Sequence, residues 1–382
     1  MALEKNDWPR RGADAVNALF AIDRASNPYV EVVAAGVRAA GAAATVGLEA
    51  FRTARPFPYD VAHIQWPEAL FGWRVPGPAD LAALRRRLAE VRAQAKVVYT
   101  RHNRASHVAN PENREILAEL YGLIETGCDA MVHLGETSRA ECAERPELRD
   151  IRHETIPIPV YDELYAPFLE VDRGAARHRL GLAPERAVVL AFGKFRSAAE
   201  KRLVQEARNF RAGRRALWLA SKWHRARDYS FSPRHPLLAL RSLREAAWAW
   251  RRGMRLAAKR AMADEEVALE YAAADVVFVP RLDELNSGNV PMAFLFGKVV
   301  AGPDCGNIGG WLRATGNPTF DPRDPESVRA ALGRALDLAA AGHGAANRRF
   351  ALEHWSTRRI GHAHVRLYRR LCAAAPSGGE QA

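Results

Sequence analysis

Residues Glu270–Gly310 read EYAAADVVFVPRLDELNSGNVPMAFLFGKVVAGPDCGNIGG. An apolar run, Val276–Pro280, follows a stretch of helical spacing and opens into a polar loop. The loop ends in Ser287-Gly288-Asn289, Val290–Phe296 then has the pattern of a short helix, and Val299–Ala301 is apolar again. Strand, helix and strand in that order make one parallel crossover unit. Backbone N–H groups at the start of such a helix, with its dipole behind them, favour a phosphate. Glu284 sits just past the strand, where a carboxylate can accept hydrogen bonds from a sugar or ribose hydroxyl. The same letters also fit a capped helix beside a solvated glutamate.

Outward from this segment the alternation continues. In the first half, strands are expected at Ala15–Ile22, Thr45–Leu48, Val61–Gln65, Lys96–Thr100, Ala130–Leu134 and Thr155–Ile158. Helices are expected at Tyr29–Ala40, Ala79–Ala93, Glu112–Glu125 and Glu136–Arg145. Tyr161–Arg186 is mixed and charged and reads as a linker with a short helix. The pattern then restarts with strands Val188–Phe192 and Ala216–Ala220 and helices Ala198–Asn209, Glu265–Ala273 and Pro325–Ala340. Leu238–Ala261 and Asn347–Leu371 each read as one long helix. Two successive α/β halves, each a Rossmann-like doubly wound domain, are the predicted architecture, with domains 1–162 and 163–346 and a terminal helical segment 347–382.

Bulk properties fit this. The chain has 382 residues, which suits two domains. Its start, MALEKNDWPRRGADAV, lacks the apolar core of a secretory signal. No run approaches the ~18 apolar residues of a membrane span. The four cysteines (Cys128, Cys142, Cys305, Cys372) are scattered without a CxxC and read as free thiols of a reducing, cytoplasmic protein. Lys and Arg number 56 against 44 Asp and Glu, a net charge of +12 that suits phosphates, nucleic acid or an anionic membrane. Nucleic acid is the weakest of these, for there is no zinc-finger spacing, RRM-type aromatic motif or long basic tail.

Open α/β sheets bind ligands at the carboxyl ends of their strands, which directs attention to the strand-to-loop transitions. VVLAFGKFRSAAEK (Val188–Lys201) opens into Gly193, with the cations Lys194, Arg196 and Lys201 following at the start of a helix. VVYTRHNRASH (Val97–His107) delivers Thr100, His102, Asn103 and His107 to a loop edge, where two histidines without a third ligand make a poor metal site. VAHIQWPEALFGW (Val61–Trp73) offers Trp66 and Trp73 to the apolar face of a sugar, and Glu68 as a base for an attacking hydroxyl.

Taken together, these segments resemble the GT-B glycosyltransferases, in particular the group-1 superfamily of sucrose synthases, bacterial mannosyltransferases and exopolysaccharide enzymes. The resemblance runs through EYAAAD, VVFVP, DELNSGN, PMAFLFGKVVAG and PDCGNIGG, continues into TFDPRD, and covers about 70 residues in family order. It implies two Rossmann-like domains facing a cleft, the second for a nucleotide-sugar such as a UDP- or GDP-sugar, the terminal segment 347–382 packing back on the first domain, and no metal or other cofactor. Gly193, Arg196 and Lys201, with Asn286, Ser287, Gly288 and Asn289, are the implied donor-binding residues, and Glu284 and His102 the implied catalytic ones, Glu68 serving as base if the enzyme inverts. Many members carry a second glutamate eight positions after the first, where this chain has Met292. A thioether accepts hydrogen bonds only weakly, so the ribose must be held otherwise. His63-x-Gln65-Trp66-Pro67-Glu68 and Asn27-Pro28-Tyr29 are similar to elements of bacterial exopolysaccharide enzymes. They imply an acceptor side built on Asn27, Trp66 and His107, taking a lipid-linked or oligosaccharide acceptor in exopolysaccharide, capsule or lipopolysaccharide assembly. A basic, Trp-bearing helix over Leu238–Ala261 suits the inner face of the cytoplasmic membrane, and equally a solvated surface. The same architecture also serves sugar-nucleotide epimerases, polysaccharide pyruvyltransferases and non-catalytic sugar-binding relatives.

Overall fold

The structure is a computed structural model that describes residues 16–23, 28–106, 109–209, 215–220, 222–223, 235–256 and 262–373. It divides into two compact units. One is Met1–His133 with Cys142–Ile156 and Arg358–Ala382, and the other is Leu134–Glu141 with Pro157–Thr357.

The first unit is built on β1 (Asn17–Phe20), α1 (Tyr29–Ala39), β2 (Ala43–Val46), α2 (Glu49–Thr53), β3 (Val61–Ile64), α3 (Pro78–Arg92), β4 (Lys96–Arg101), α4 (Arg114–Gly127), β5 (Ala130–His133) and β6 (Arg152–Thr155), while α5 (Glu136–Ala143), between β5 and β6 in the chain, belongs mostly to the second unit. Among the described residues the first unit's sheet has six parallel strands in the order β2-β1-β3-β4-β5-β6. The central strands are continuous apolar runs because helices cover both faces. Leu19, Ile64, Val97 and Met131 from the sheet pack with Leu84 and Leu88 of α3 and Leu117 and Leu120 of α4. The last helix, Thr357–Ala373, belongs chiefly to this unit. Its Tyr368 hydroxyl meets Nδ1 of buried His63 at 2.6 Å, while Nε2 of the same ring meets the Thr100 hydroxyl at 2.7 Å.

The second unit continues with α6 (Asp162–Tyr165), α7 (Arg173–Arg179), β7 (Val188–Leu190), α8 (Ala198–Asn209), β8 (Leu217–Ala220), α9 (Pro236–Trp250), β9 (Met254–Leu256), α10 (Asp264–Ala273), β10 (Val276–Phe278), α11 (Asn289–Leu295), β11 (Val299–Pro303), α12 (Gly306–Ala314), β12 (Thr319–Phe320), α13 (Pro325–Ala340) and α14 (Gly344–Trp355). The strands, all parallel, run β12-β11-β10-β7-β8-β9. Chain order therefore reverses between β7 and β10, which is the topological switch point of a dinucleotide-binding sheet. Under the sheet, Phe278 stacks on Phe320 at 5.3 Å and meets Trp218 edge-on at 5.7 Å.

Several elements differ from the expectations. The strand expected at Thr155–Ile158 lies at Arg152–Thr155, paired with Ala130–His133. Pro157 and Pro159 donate no ladder hydrogen bond, so the run cannot continue as a strand. Tyr161–Arg186 is no loose linker. Arg177 is 1% exposed and binds Asp275 at 2.6 Å and the carbonyls of Ala273, Pro184 and Arg186. The Asp275 carboxylate also takes Arg173 Nε and the Val188 N–H, so this segment locks α7 to the strands β7 and β10. The basic helix stops at Trp250, Gly253 turns the chain, and Met254–Leu256 forms the edge strand. The long terminal helix is two helices broken at Ser356, because Asp162 Oδ1 accepts from both the N–H and the hydroxyl of Thr357 and so caps a new start.

Candidate functional site

At the switch point of the second unit the chain leaves β7 through Ala191 and Phe192 to Gly193. Gly193 has φ +94°, a left-handed conformation open to glycine, and without a side chain it leaves the mouth of the sheet clear. Next to it β10 delivers Arg281, which is 8% exposed. Its guanidinium binds Glu200 Oε1 at 2.9 Å and donates to the Lys194 carbonyl at 3.3 Å. Glu200, buried on α8, accepts the Arg196 N–H at 2.6 Å with its other oxygen. One buried carboxylate thus fixes both the cation from β10 and the backbone of the loop after β7.

Arg196 directs its side chain to Glu284, and the two form an ion pair. Both remain partly open, at 39% and 24%. The Glu284 loop is rigid from behind. A side chain at Gly306 would lie 2.5 Å from the Glu284 carbonyl, so only glycine lets the turn before α12 close on it. The Asn307 N–H donates to the Leu285 carbonyl at 2.8 Å, and its side-chain amide donates to Asn286 Oδ1 at 2.8 Å. From the other side, Asn289 Nδ2 donates to the Phe192 carbonyl at 2.8 Å and the Tyr271 hydroxyl donates to Asn289 Oδ1 at 3.3 Å.

The structure therefore brings together Gly193, Arg196, Glu284 and Asn289 and ties Asn286 to the loop behind them. Ser287 is buried, its hydroxyl accepts the Asn289 N–H at 3.4 Å, and Gly288 caps α11, so the start of that helix satisfies part of itself. Lys201 goes elsewhere. Its ammonium lies 5.1 Å from the Trp223 ring centre and lines a cavity of about 490 Å³ with Trp223, Arg244 and Trp248. Met292 is buried within α11. Sequence reasoning missed Arg281, Glu200 and Asn307, for Arg281 and Glu200 lie far apart in the chain and carry no motif. The one available signal is that Arg281 directly follows the strand-ending Pro280.

The first unit has its own cluster at the ends of β3 and β4. Trp66 stacks on His102 at 4.0 Å, and Tyr29 meets the same imidazole edge-on at 4.8 Å. His102 Nε2 lies 2.9 Å from Gln65 Oε1, which orients the ring as a donor at that nitrogen. Trp73, 47% exposed and held at φ +66°, lies 5.9 Å from Trp66 and widens the aromatic face. Strained backbone of this kind clusters at functional sites. Glu68 is 1% exposed and accepts from the Ser106 hydroxyl at 2.9 Å and the Tyr121 hydroxyl at 3.1 Å. With both oxygens engaged it anchors the loop after β4 to α4. Asn27 and His107 lie outside the described residues. Among the described residues no group of three His, Cys, Asp or Glu side chains gathers to hold a metal ion.

No protein-family model and no curated protein sequence matches this chain. Solved structures do. The sucrose-phosphate synthase of Thermosynechococcus elongatus superposes over 94% of this chain and 100% of its own, with a TM-score of 0.65 at 17% identity. HepE from Anabaena in complex with UDP covers 92% of this chain and 99% of its own, at 0.62 and 14%. A trehalose 6-phosphate synthase from Burkholderia multivorans covers 92% and 77%, at 0.55 and 14%. Likeness at such low identity is likeness of architecture. With two all-parallel six-stranded sheets flanked by helices, and with these neighbours, the chain has the GT-B fold, two Rossmann-like units in succession.

Proposed function

We propose that this chain is a glycosyltransferase that binds a nucleotide-sugar at the switch point of its second unit and passes the sugar to a glycan acceptor. The observation that carries the reading is the convergence of Gly193, Arg196, Arg281 and Glu284 at the ends of β7 and β10. A glycine-lined opening beside the partly exposed Arg196, whose loop the buried Arg281–Glu200 pair holds in place, is suited to a diphosphate, and a cation there offsets the charge that grows on the leaving nucleoside diphosphate. The Arg196–Glu284 pair holds the site closed on itself until the donor arrives. The diphosphate then takes the guanidinium, and the released carboxylate accepts a hydroxyl of the donor sugar. Supporting this, HepE is a structure solved with UDP and with UDP-glucose.

On the acceptor side, Trp66 and Trp73 provide rings that suit the apolar face of a pyranose. His102, its ring set by Gln65 and stacked under Trp66, backs this aromatic face. The acceptor is a lipid-linked or oligosaccharide glycan of bacterial exopolysaccharide, capsule or lipopolysaccharide synthesis, and the donor needs no metal ion at these residues. Mass spectrometry after incubation with a panel of nucleotide-sugars tests the reading. Release of UDP or GDP that rises with added acceptor supports transfer. An isomerised donor marks an epimerase, and binding without turnover marks a non-catalytic relative.

A further inference from the structure

The helix α9, Pro236–Trp250, carries two apolar faces, and the unit it belongs to uses one. Ala249 joins the core of the second unit, with Trp248 packed against it, and Ser242 is buried on the same side. The other side is bare. Leu237, Leu240, Leu243 and Trp250 are 83%, 56%, 55% and 80% exposed. They are half of the eight large apolar side chains exposed among the described residues, so the exposure is concentrated rather than scattered. At about 100° per residue these four and the exposed Ala247 fall within an arc of roughly 140°. A concentration of exposed apolar side chains on the outer face of a helix marks a surface that something covers.

The charge beside the stripe indicates the occupant. Residues 235–256 hold Arg241, Arg244, Arg251, Arg252 and Arg255 against a single acid, Glu245. Arg241 pairs with that acid, whereas Arg244 and Arg251 make no ion pair among the described residues. On the helical wheel Arg244 and Arg251 fall between Leu237 and Leu240, and Arg241 and Arg252 border the stripe on one side. Leucines and a tryptophan with arginines set among and beside them match the boundary between acyl chains and anionic head groups, where apolar side chains are buried and long guanidinium side chains reach up to phosphate. A second copy of the chain fits worse, because a two-fold contact across this face opposes one arginine row to another. Nucleic acid offers nothing to the leucines. We propose that α9 is an in-plane membrane contact that seats the second unit on an anionic lipid surface.

The test uses the full chain with no substrate, so it is independent of the glycosyl-transfer reading. Co-sedimentation compares vesicles of phosphatidylcholine alone with vesicles carrying ~30% phosphatidylglycerol. The expected result is binding to the anionic vesicles only, weakened by salt. It falls at least ~10-fold in Leu240→Ser/Trp250→Ser, a pair exposed enough for the circular dichroism to stay unchanged. Arg244→Gln/Arg251→Gln is expected to weaken binding and to flatten its salt dependence. The proposal is overturned if the wild type ignores anionic vesicles, or if the Leu240→Ser/Trp250→Ser variant binds as well as wild type. It is equally overturned if sedimentation velocity without lipid shows a dimer that this same variant dissociates, since a second copy then occupies the face.

Discussion

Arg196 and Glu284 neutralise each other at the mouth of the second sheet. On the proposed reading, replacing either with Ala removes a charge meant for the diphosphate or the sugar, and it leaves the fold intact because both side chains are partly exposed. A fall in kcat/KM of about 100-fold is expected for each, measured as acceptor-dependent nucleotide release. Arg281 has a different part. It is buried against Glu200 at 2.9 Å, so Arg281→Met strands a buried carboxylate and is expected to cost about 3–5 kcal/mol in urea unfolding. These residues are unequally legible. Gly193, Arg196 and Glu284 follow strand ends in the chain and can be read there. The Arg281–Glu200 pair forms only when β10 and α8 are brought together, which no local pattern records. The family resemblance implies Lys201 as a phosphate ligand, but its position on α8 carries it to Trp223 instead.

Elements with a clean period are legible to within a residue or two: α8 and α13 coincide with their expected bounds. The errors fall where a tertiary contact decides. Ser356 breaks a helical pattern because Asp162, nearly two hundred residues earlier, caps the helix that begins at Thr357. The strand β9 is three residues long at the sheet edge, too short to carry a period. The last helix also brings a pH response. His364 is buried with its Nδ1 bonded to the Ile360 carbonyl at 2.9 Å, and burial pushes its pKa down to about 4. His63, beside it at 5.6 Å, is lowered well below its ordinary value by burial and then by His364 and His102. Both rings are therefore neutral in the folded chain, while the unfolded chain protonates them near pH ~6.5. Stability is unaffected by them above that pH and falls as pH drops from 6.5 toward 4. At about 1.4 kcal/mol per pH unit, His364 alone accounts for roughly 3 kcal/mol of this loss. Urea midpoints at pH 7 and 4.5 are expected to differ less in His364→Leu than in wild type.

At the scale of the molecule, the two sheets have different strand orders, and the second places its reversal at β7 and β10. Alternating apolar runs and helical periods make two α/β halves readable, and a single segment from Glu270 to Gly310 points to the donor side. Strand order is not readable, since it is set by which crossover packs on which face. The GT-B neighbours share 12–17% identity with the chain, so the architecture persists across them rather than the residues. The central claim is that the second unit's switch point holds a nucleoside diphosphate through Arg196. Titration calorimetry with UDP, GDP and ADP tests it most directly. The account predicts that at least one of them binds wild type and binds Arg196→Ala at least ~10-fold more weakly, the loss of a charge-assisted hydrogen bond. Binding of none, or equal binding to both proteins, would contradict it.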